Sequence, residues 1–214
     1  KLTQVSTKIG VEIARLLYDD ELQWGDHVRI GDLFVEVAKY PSIIGQAELR
    51  ESIARWVASR FKTRAIDPAT EVLPVNGTRE GLFAITQALV TPNRRGGVVI
   101  PNPFYQIYEG AALLANVEPL LVPATEATGH LADYSILSDD DWERCEMLFI
   151  CTPGNPSGAV IPEAELHFLI EKALEHNVVL ISDECYSELY YDEERPPVGL
   201  LEAASTYGNT ELKQ

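Results

Sequence analysis

Beyond residue 40 the chain alternates between amphipathic stretches and short, wholly apolar runs. Residues 48–61 place apolar side chains at helical spacing, with charges on the opposite face. Runs such as 147–151 and 178–181 are apolar throughout, which is typical of strands that are buried on both faces of a sheet. The pattern predicts helices over 48–61, 78–90, 104–115 and 163–176, and strands over 71–75, 97–100, 118–122, 147–151 and 178–182.

The order of these elements predicts the fold class. Strands and helices alternate along the chain, which favours an α/β, three-layer sandwich with a mostly parallel sheet and helices on both faces. In such folds ligands bind beyond the carboxyl ends of the strands. Polar and glycine-rich segments follow the predicted strands at 76–78, 102–103, 152–158 and 182–184. We therefore expect the chemistry of the protein at this edge of the sheet.

The composition narrows the classes of function. The 214 residues are 46% hydrophobic, and no apolar run approaches the ~20 residues that a membrane-spanning helix needs. The net charge of −16 would repel the phosphate backbone of a nucleic acid, and the 17 Lys and Arg residues are scattered. The three cysteines have no paired spacing and the four histidines are dispersed. We expect a cytoplasmic location in a reducing environment and no metal site.

The segment Asn76-Gly77-Thr78-Arg79 joins a predicted strand to a predicted helix. Gly77 would let the backbone approach a ligand closely, and the N–H groups of Thr78 and Arg79 would be unpaired at the helix start. These features suit a phosphate monoester, with the Thr78 hydroxyl as a further donor. An ordinary helix cap with a tight turn has the same pattern and is the alternative.

Asp183 follows an apolar predicted strand. An unpaired carboxylate there costs on the order of several kcal/mol, so it needs a cationic or hydrogen-bonding partner. A protonated pyridine nitrogen is such a partner, because the carboxylate keeps the ring protonated and able to accept electrons from a substrate. Asp183 could equally cap the next segment or pair with a lysine, and Glu184 could be the buried acid instead.

Residues 152–158 read Thr-Pro-Gly-Asn-Pro-Ser-Gly. Two prolines restrict the backbone around Asn155, and two glycines permit a sharp reversal. The segment is predicted to aim the Asn155 amide at a ligand, with a plain turn as the alternative.

Four motifs together resemble the class I and II aminotransferases of fold type I. They are LPVNGTRE (73–80), PNPFYQIY (101–108), PGNPSG (153–158) and SDECY (182–186), in the order and spacing of that family. The similarity covers about residues 40–214 and looks most like the succinyldiaminopimelate aminotransferases of lysine biosynthesis. The resemblance implies the fold of the type I pyridoxal-phosphate-dependent transferases and pyridoxal 5'-phosphate as cofactor. It also implies amino transfer between glutamate and N-succinyl-2-amino-6-oxoheptanedioate.

The resemblance assigns roles to individual residues in the cofactor site. Gly77, Thr78 and Arg79 match the turn that binds the cofactor phosphate. Tyr105 matches the aromatic residue that stacks on the pyridine ring. Asp183 matches the partner of the ring nitrogen.

The resemblance implies three more roles. Asn155 and Tyr186 match the pair that hydrogen-bonds the phenolic oxygen of the cofactor, so that with Asp183 they are expected to support catalysis. Tyr40 matches a tyrosine that reaches the phosphate of a neighbouring subunit. A homodimer is therefore implied, with a small-molecule amino donor and acceptor as its other partners.

Two further predictions concern the division of the chain into domains and the position of the family's covalent lysine. Residues 1–39 are predicted to be an N-terminal arm or part of a small domain, and residues 40–214 the N-terminal portion of the cofactor-binding large domain. The family's covalent lysine follows the Asp183 segment, and the lysines of this chain lie in none of its contexts, so the chain is expected to stop before it. A β-lyase or synthase of the same superfamily, or a non-catalytic α/β binding domain, is the alternative.

Overall fold

The computed structural model describes two stretches of the chain, 42–92 and 97–207. The described residues fall into two compact units. The smaller comprises 42–52 and 68–74, and the larger comprises 53–67, 75–92 and 97–207. The predicted domain boundary between residues 39 and 40 lies outside the described residues, so it stays a prediction.

Six α-helices and four β-strands are formed by the described residues. The helices are α1 (Ala47–Arg60), α2 (Thr78–Leu89), α3 (Gln106–Leu114), α4 (Asp139–Arg144), α5 (Glu163–His176) and α6 (Leu200–Thr206). The strands are β1 (Val98–Asn102), β2 (Pro119–Pro123), β3 (Met147–Cys151) and β4 (Val179–Asp183). Across the two described stretches, no helix combines the length and the apolar character needed to cross a bilayer.

The four strands form one sheet in the order β2-β1-β3-β4. Every pairing between these strands is parallel. The register of β3 and β4 places Cys151 opposite Asp183, so that the carboxyl ends of these two strands are level. The predicted parallel sheet is confirmed.

Alternate residues of β1 and β3 enter two different hydrophobic cores, because successive side chains of a strand point to opposite faces. Val99, Leu148 and Ile150 pack with residues of α4, α5 and α6, among them Trp142 of α4, Leu166 and Leu169 of α5, and Ala203 of α6. Val98, Ile100, Met147 and Phe149 pack with residues of α2 and α3, among them Leu82 of α2, and Tyr108 and Ala112 of α3. Helices thus cover both faces of the sheet, and the predicted three-layer α/β class is confirmed.

The strand predicted over residues 71–75 is wrong for the structure as described. Leu73 and Val75 are 64% and 52% exposed, and no strand in the described part of the chain pairs with them. Pro74, between them, has no N–H to donate to a ladder. An apolar run becomes a strand only where a neighbouring strand accepts its hydrogen bonds. The pattern also failed to predict α4 and α6, which are too short to show a clear hydrophobic period.

Candidate functional site

A cleft of about 200 Å³ lies at the carboxyl ends of β1, β3 and β4. It is lined by Thr78, Pro101, Pro103, Phe104, Tyr105, Tyr108, Cys151, Asn155, Asp183, Cys185 and Tyr186. Each of the four polar segments that were predicted to converge contributes a residue, namely Thr78, Pro103, Asn155 and Asp183. The structure therefore brings the predicted segments together around one small-molecule-sized space.

Asp183 is the last residue of β4 and is only 7% exposed, yet it lines the cleft. The hydroxyl of Tyr108 donates a hydrogen bond to its Oδ2 at 2.8 Å. This donor is neutral, and Asp183 takes part in none of the ion pairs formed within the described residues. A nearly buried carboxylate without a protein cation favours a positively charged group in the cleft.

Tyr108 is a site residue that the sequence reasoning missed. It is 1% exposed, and its ring stacks on Phe149 with centroids 4.7 Å apart and planes at 7°. Burial raises the pKa of its hydroxyl, and the neighbouring Cys151 thiol and Asp183 carboxylate raise this pKa further. The phenol therefore stays protonated and remains a donor. The available signal was the spacing of Tyr105 and Tyr108, since residues three apart at a helix start lie on the same side.

Asn155 and Tyr186 are brought together, as predicted. Nδ2 of Asn155 donates to the hydroxyl oxygen of Tyr186 at 3.2 Å. The loop before Asn155 is fixed by a hydrogen bond from the Ile161 N–H to Oγ1 of Thr152 at 3.1 Å. Gly158 ends the turn with a φ of 71°, a conformation that glycine adopts without steric cost. The segment is a turn that also places an amide at the cleft.

The turn before α2 opens onto the same cleft. Gly77 is the N-cap of α2 without a side-chain capping bond, and the Gly81 N–H donates to the Gly77 carbonyl at 3.1 Å. The N–H groups of Thr78 and Arg79 precede this bond, so they have no acceptor inside the helix. A Cβ at Gly77 would meet no atom within 4 Å, so the space beside this residue is open. The extended φ of 175° does not itself require glycine. The turn offers donors and open space to a phosphate.

The side chain of Arg79 contacts Tyr105 and is not among the residues that line the cleft. Its Nε donates to the Tyr105 hydroxyl at 2.7 Å, and its guanidinium carbon lies 5.3 Å from the centroid of the Tyr105 ring. A cation over an aromatic face is attractive, so Arg79 helps to hold Tyr105 in place. The role predicted for Arg79 in the phosphate turn stays a prediction, and with the side chain on Tyr105 it would have to come from the backbone N–H.

Glu184, the alternative buried acid, has a different environment from Asp183. Its Oε1 accepts hydrogen bonds from the Ser182 hydroxyl at 2.6 Å and from the Leu200 N–H at 2.7 Å. Leu200 is the first residue of α6, so Glu184 satisfies a backbone donor at a helix start. Asp183 lines the cleft and Glu184 does not. The sequence did not decide which of the two acids faces a ligand, and in the structure Asp183 lines the cleft.

Two thiols also line the cleft. Burial of its thiol, together with the Asp183 carboxylate, raises the pKa of Cys185 to about 11. Burial likewise raises the pKa of Cys151. Both thiols are therefore protonated at neutral pH and poorly suited to act as nucleophiles. Tyr40, the remaining predicted site residue, lies outside the described residues.

The family comparison identifies the class of protein. The family described as aminotransferase class I and II matches residues 30–209, and the chain belongs to this family. LL-diaminopimelate aminotransferase of Maridesulfovibrio salexigens is 33% identical over 164 residues, which are 77% of this chain and 42% of that protein. The enzyme of the same name from Aquifex aeolicus is 36% identical over 161 residues, 74% of this chain and 40% of that protein. The chain spans about half or less of the length of these curated relatives.

Solved structures confirm the fold. An aminotransferase from Neisseria meningitidis has a TM-score of 0.76 at 38% identity, over 81% of this chain and 44% of that one. An aminotransferase from Helicobacter pylori has a TM-score of 0.77 at 30% identity, over 91% and 50% of the two chains. A probable N-succinyldiaminopimelate aminotransferase from Thermus thermophilus shares the fold at 23% identity and a TM-score of 0.71, over 94% and 55%. The predicted type I fold of the pyridoxal-phosphate-dependent transferases is thereby confirmed.

The cofactor of this family is pyridoxal 5'-phosphate, and the cleft fits it on three counts. Asp183 is a nearly buried carboxylate that pairs with no cation of the described residues, and it matches a protonated ring nitrogen. The aromatic face of Tyr105 lines the same cleft and matches the flat ring. The helix start at Thr78, with open space over Gly77, matches the phosphate.

Proposed function

We propose that the complete protein containing this chain is a pyridoxal-phosphate-dependent aminotransferase that binds its cofactor in the cleft. The observation that carries this proposal is the environment of Asp183. The carboxylate is nearly buried, it has a neutral hydrogen-bond donor on one oxygen, and it lines a cleft that also contains an aromatic face and a helix start. A pyridinium ring with a phosphate tail has the complementary charges.

When bound, pyridoxal phosphate supplies an electron-accepting ring that carries the amino group between donor and acceptor. Asp183 would hold the proton on the ring nitrogen, and Tyr105 would lie against the ring face. Tyr186 accepts a hydrogen bond from Asn155, and its own hydroxyl proton would be donated to the phenolic oxygen of the cofactor. The backbone N–H groups of Thr78 and Arg79, with the Thr78 hydroxyl, would bind the phosphate.

The described lysines do not reach the cleft. Nζ of Lys62 pairs with Glu202 at 3.0 Å, and Nζ of Lys172 pairs with Glu175 at 2.7 Å. Neither lysine lines the cleft. We therefore expect the lysine that bonds the cofactor, and acts as general base, to come from outside the described residues.

The proposed amino acceptor is a dicarboxylate with a seven-carbon backbone. The sequence motifs favour N-succinyl-2-amino-6-oxoheptanedioate as amino acceptor, with glutamate as donor. Relatives that are 33% and 36% identical are named for LL-diaminopimelate, which has the same seven-carbon dicarboxylate skeleton without the succinyl group. Amino transfer from LL-diaminopimelate and from its N-succinyl derivative to 2-oxoglutarate, measured side by side, would show which form the protein uses.

We further propose a homodimer in which Tyr40 of one subunit contributes to the phosphate site of the other. The test is to co-express Tyr40→Ala and Asp183→Asn subunits. If each site combines both subunits, the mixed dimers contain one site free of both substitutions and regain activity that neither variant shows alone. Activity that stays at the level of the parent variants, in dimers confirmed by mass, would contradict the shared site.

The cofactor proposal is tested by titrating the complete protein with pyridoxal phosphate and following the absorbance and the bound fraction. We expect stoichiometric binding and transfer of an amino group from glutamate to a keto-acid acceptor. Asp183→Ala should lose activity while remaining folded. The control is Asp140→Ala. The side chain of Asp140 is 84% exposed, and its ion pair with Arg144 has an Oδ2–Nε distance of 3.6 Å.

The products separate the proposal from its alternatives. Release of ammonia and a keto acid without amino transfer would identify a lyase of the same fold. Absence of cofactor binding by the folded, complete protein would reject the proposal and leave a binding domain. Asp183→Ala with full activity would reject the site while leaving the family assignment intact.

A further inference from the structure

Tyr108 and Asp183 are 75 residues apart in the sequence and meet in the protein interior. The Tyr108 hydroxyl lies 2.8 Å from Oδ2 of the carboxylate, and both residues line the cleft. A carboxylate has two oxygens and accepts hydrogen bonds on each. With Oδ2 engaged from the side of α3, the carboxylate keeps the capacity to accept a further hydrogen bond from a ligand in the cleft.

The Tyr108 ring has little freedom to move. It lies parallel to Phe149 of β3 with centroids 4.7 Å apart, and it is perpendicular to the Tyr105 ring, with centroids 5.9 Å apart and planes at 88°. Tyr105 is the N-cap residue of α3, and Tyr108 lies in the first turn of that helix. The start of α3 therefore places both an aromatic face for the cleft and a donor to the carboxylate of Asp183.

We propose that Tyr108 is a positioning residue for the cofactor ring, because its hydroxyl holds Oδ2 of Asp183 and thereby orients the second carboxylate oxygen toward the ring nitrogen. This inference rests on the proposed function. A neutral donor suits the task, since a lysine or arginine at this position would neutralise the charge that the ring nitrogen needs. A phenol orients the carboxylate and leaves its negative charge in place.

The test compares wild type with Tyr108→Phe in the complete protein, and uses two ligands. The first is pyridoxal phosphate, and the second is an analogue in which a C–H group replaces the ring nitrogen. For pyridoxal phosphate we expect the dissociation constant to rise roughly 10- to 100-fold, the range for a lost hydrogen bond to a charged group. For the analogue we expect no change between the two proteins, because the analogue has no ring nitrogen for Asp183 to hold.

The matched control is Tyr134→Phe. Tyr134 is 2% exposed, and it belongs to the hydrophobic core on the opposite face of the sheet. The control removes a hydroxyl from an equally buried tyrosine that does not contact the cleft residue Asp183. Its dissociation constants for both ligands should match those of wild type.

Two results overturn the proposal while leaving the proposed function intact. One is an unchanged dissociation constant of Tyr108→Phe for pyridoxal phosphate, and the other is an equal loss of affinity for both ligands, which would show a purely structural role. Failure of wild type to bind pyridoxal phosphate would instead reject the proposed function. If Tyr108→Phe does not fold, the same substitution is made in the Asp183→Asn variant, and the double variant is compared with Asp183→Asn alone. Weaker cofactor binding by the double variant overturns the proposal, whereas equal binding supports it.

Discussion

Asp183 and Glu184 are adjacent carboxylates at the end of one strand, and the structure treats them in opposite ways. Oε1 of Glu184 accepts hydrogen bonds from the Ser182 hydroxyl and the Leu200 N–H, and its side chain does not line the cleft. Asp183 receives a single hydroxyl, from Tyr108, and lines the cleft. Glu184 is thus used inside the fold to start α6, whereas Asp183 keeps bonding capacity for a ligand.

The difference shows how partners distinguish a structural acid from a functional one. Burial alone does not separate the two carboxylates, since both lie largely inside the protein. Hydrogen bonds do separate them, because an acid that accepts bonds from the first N–H of a helix and from a strand hydroxyl has a role inside the fold. A buried acid at an open cleft, with no protein cation, has a role that a ligand must complete.

The largest effect is expected on cofactor binding, when the charges of Asp183 and Glu184 are removed in separate variants of the complete protein and compared. Asp183→Asn should weaken pyridoxal phosphate binding by about 3–5 kcal/mol, the usual loss when one partner of a buried pair is removed. Glu184→Gln should leave the dissociation constant within a few-fold of wild type, because its side chain does not line the cleft. Equilibrium dialysis of both variants measures the contrast. Equal losses for both would show that the two acids do not differ in the way their contacts indicate.

The next effect concerns the packing beside Glu184. A Cβ at Gly199 would lie 2.6 Å from Oε2 of Glu184 and 2.7 Å from ring carbons of Phe61. Gly199→Ala should therefore cost about 1–3 kcal/mol of unfolding free energy, the usual range for overpacking. Cofactor affinity in the folded protein should be nearly unchanged, since Gly199 does not line the cleft. Denaturant unfolding measures the loss.

The control for Gly199→Ala is Gly110→Ala. Gly110 lies inside α3, and a Cβ there would meet no atom within 4 Å. This substitution should stabilise the protein by up to about 1 kcal/mol, because alanine has the higher helix propensity. Destabilisation by both substitutions to the same extent would argue against a specific clash at Gly199.

Much of the fold could be predicted from the sequence, because its signals are local and strong. The apolar run 147–151 and the amphipathic stretch 163–176 have the bounds of β3 and α5. The strand predicted over 71–75 failed because strand formation depends on a partner that a local pattern does not contain. Pattern predicts the tendency of a segment, whereas hydrogen-bonding neighbours decide the outcome.

The site residues that lie in the sequence motifs could be predicted, whereas contacts between distant residues could not. Asn155 and Tyr186 were paired by resemblance and are joined by a hydrogen bond in the structure. The spacing of Tyr105 and Tyr108 indicates that both lie on one side of a helix start, but it does not show the contact of Tyr108 with Asp183, 75 positions away. The side-chain contact of Arg79 with Tyr105 was missed for the same reason.

A smaller effect is expected at Tyr186, whose hydrogen bond with Asn155 is 3.2 Å long, against 2.8 Å for the bond of Tyr108 with Asp183. Tyr186→Phe removes the acceptor of the Asn155 amide and the proton proposed for the phenolic oxygen. The loss should be about 0.5–1.5 kcal/mol, the net value of a neutral hydrogen bond. It should appear in kcat for amino transfer, with the unfolding free energy unchanged. A loss of cofactor affinity as large as that of Asp183→Asn would mean that the phenolic oxygen, rather than the ring nitrogen, dominates cofactor binding.

The smallest effect is the pH dependence of stability that Glu184 contributes. Burial raises the pKa of Glu184 above its ordinary value of 4.5, against the lowering effect of its hydrogen bonds from Ser182 and Leu200. The folded protein therefore binds this proton more tightly than the unfolded chain, so the contribution is complete below pH 4.5 and is lost as the pH rises through the folded pKa. Glu184→Gln abolishes this loss, so the melting temperature of the variant relative to wild type should increase with pH across that interval. The other acid with a raised pKa among the described residues, the half-buried Glu165, is present in both proteins and cancels in the difference. A relative melting temperature that is flat, or that falls with pH, would show that the helix-start hydrogen bonds, rather than burial, decide the protonation of Glu184.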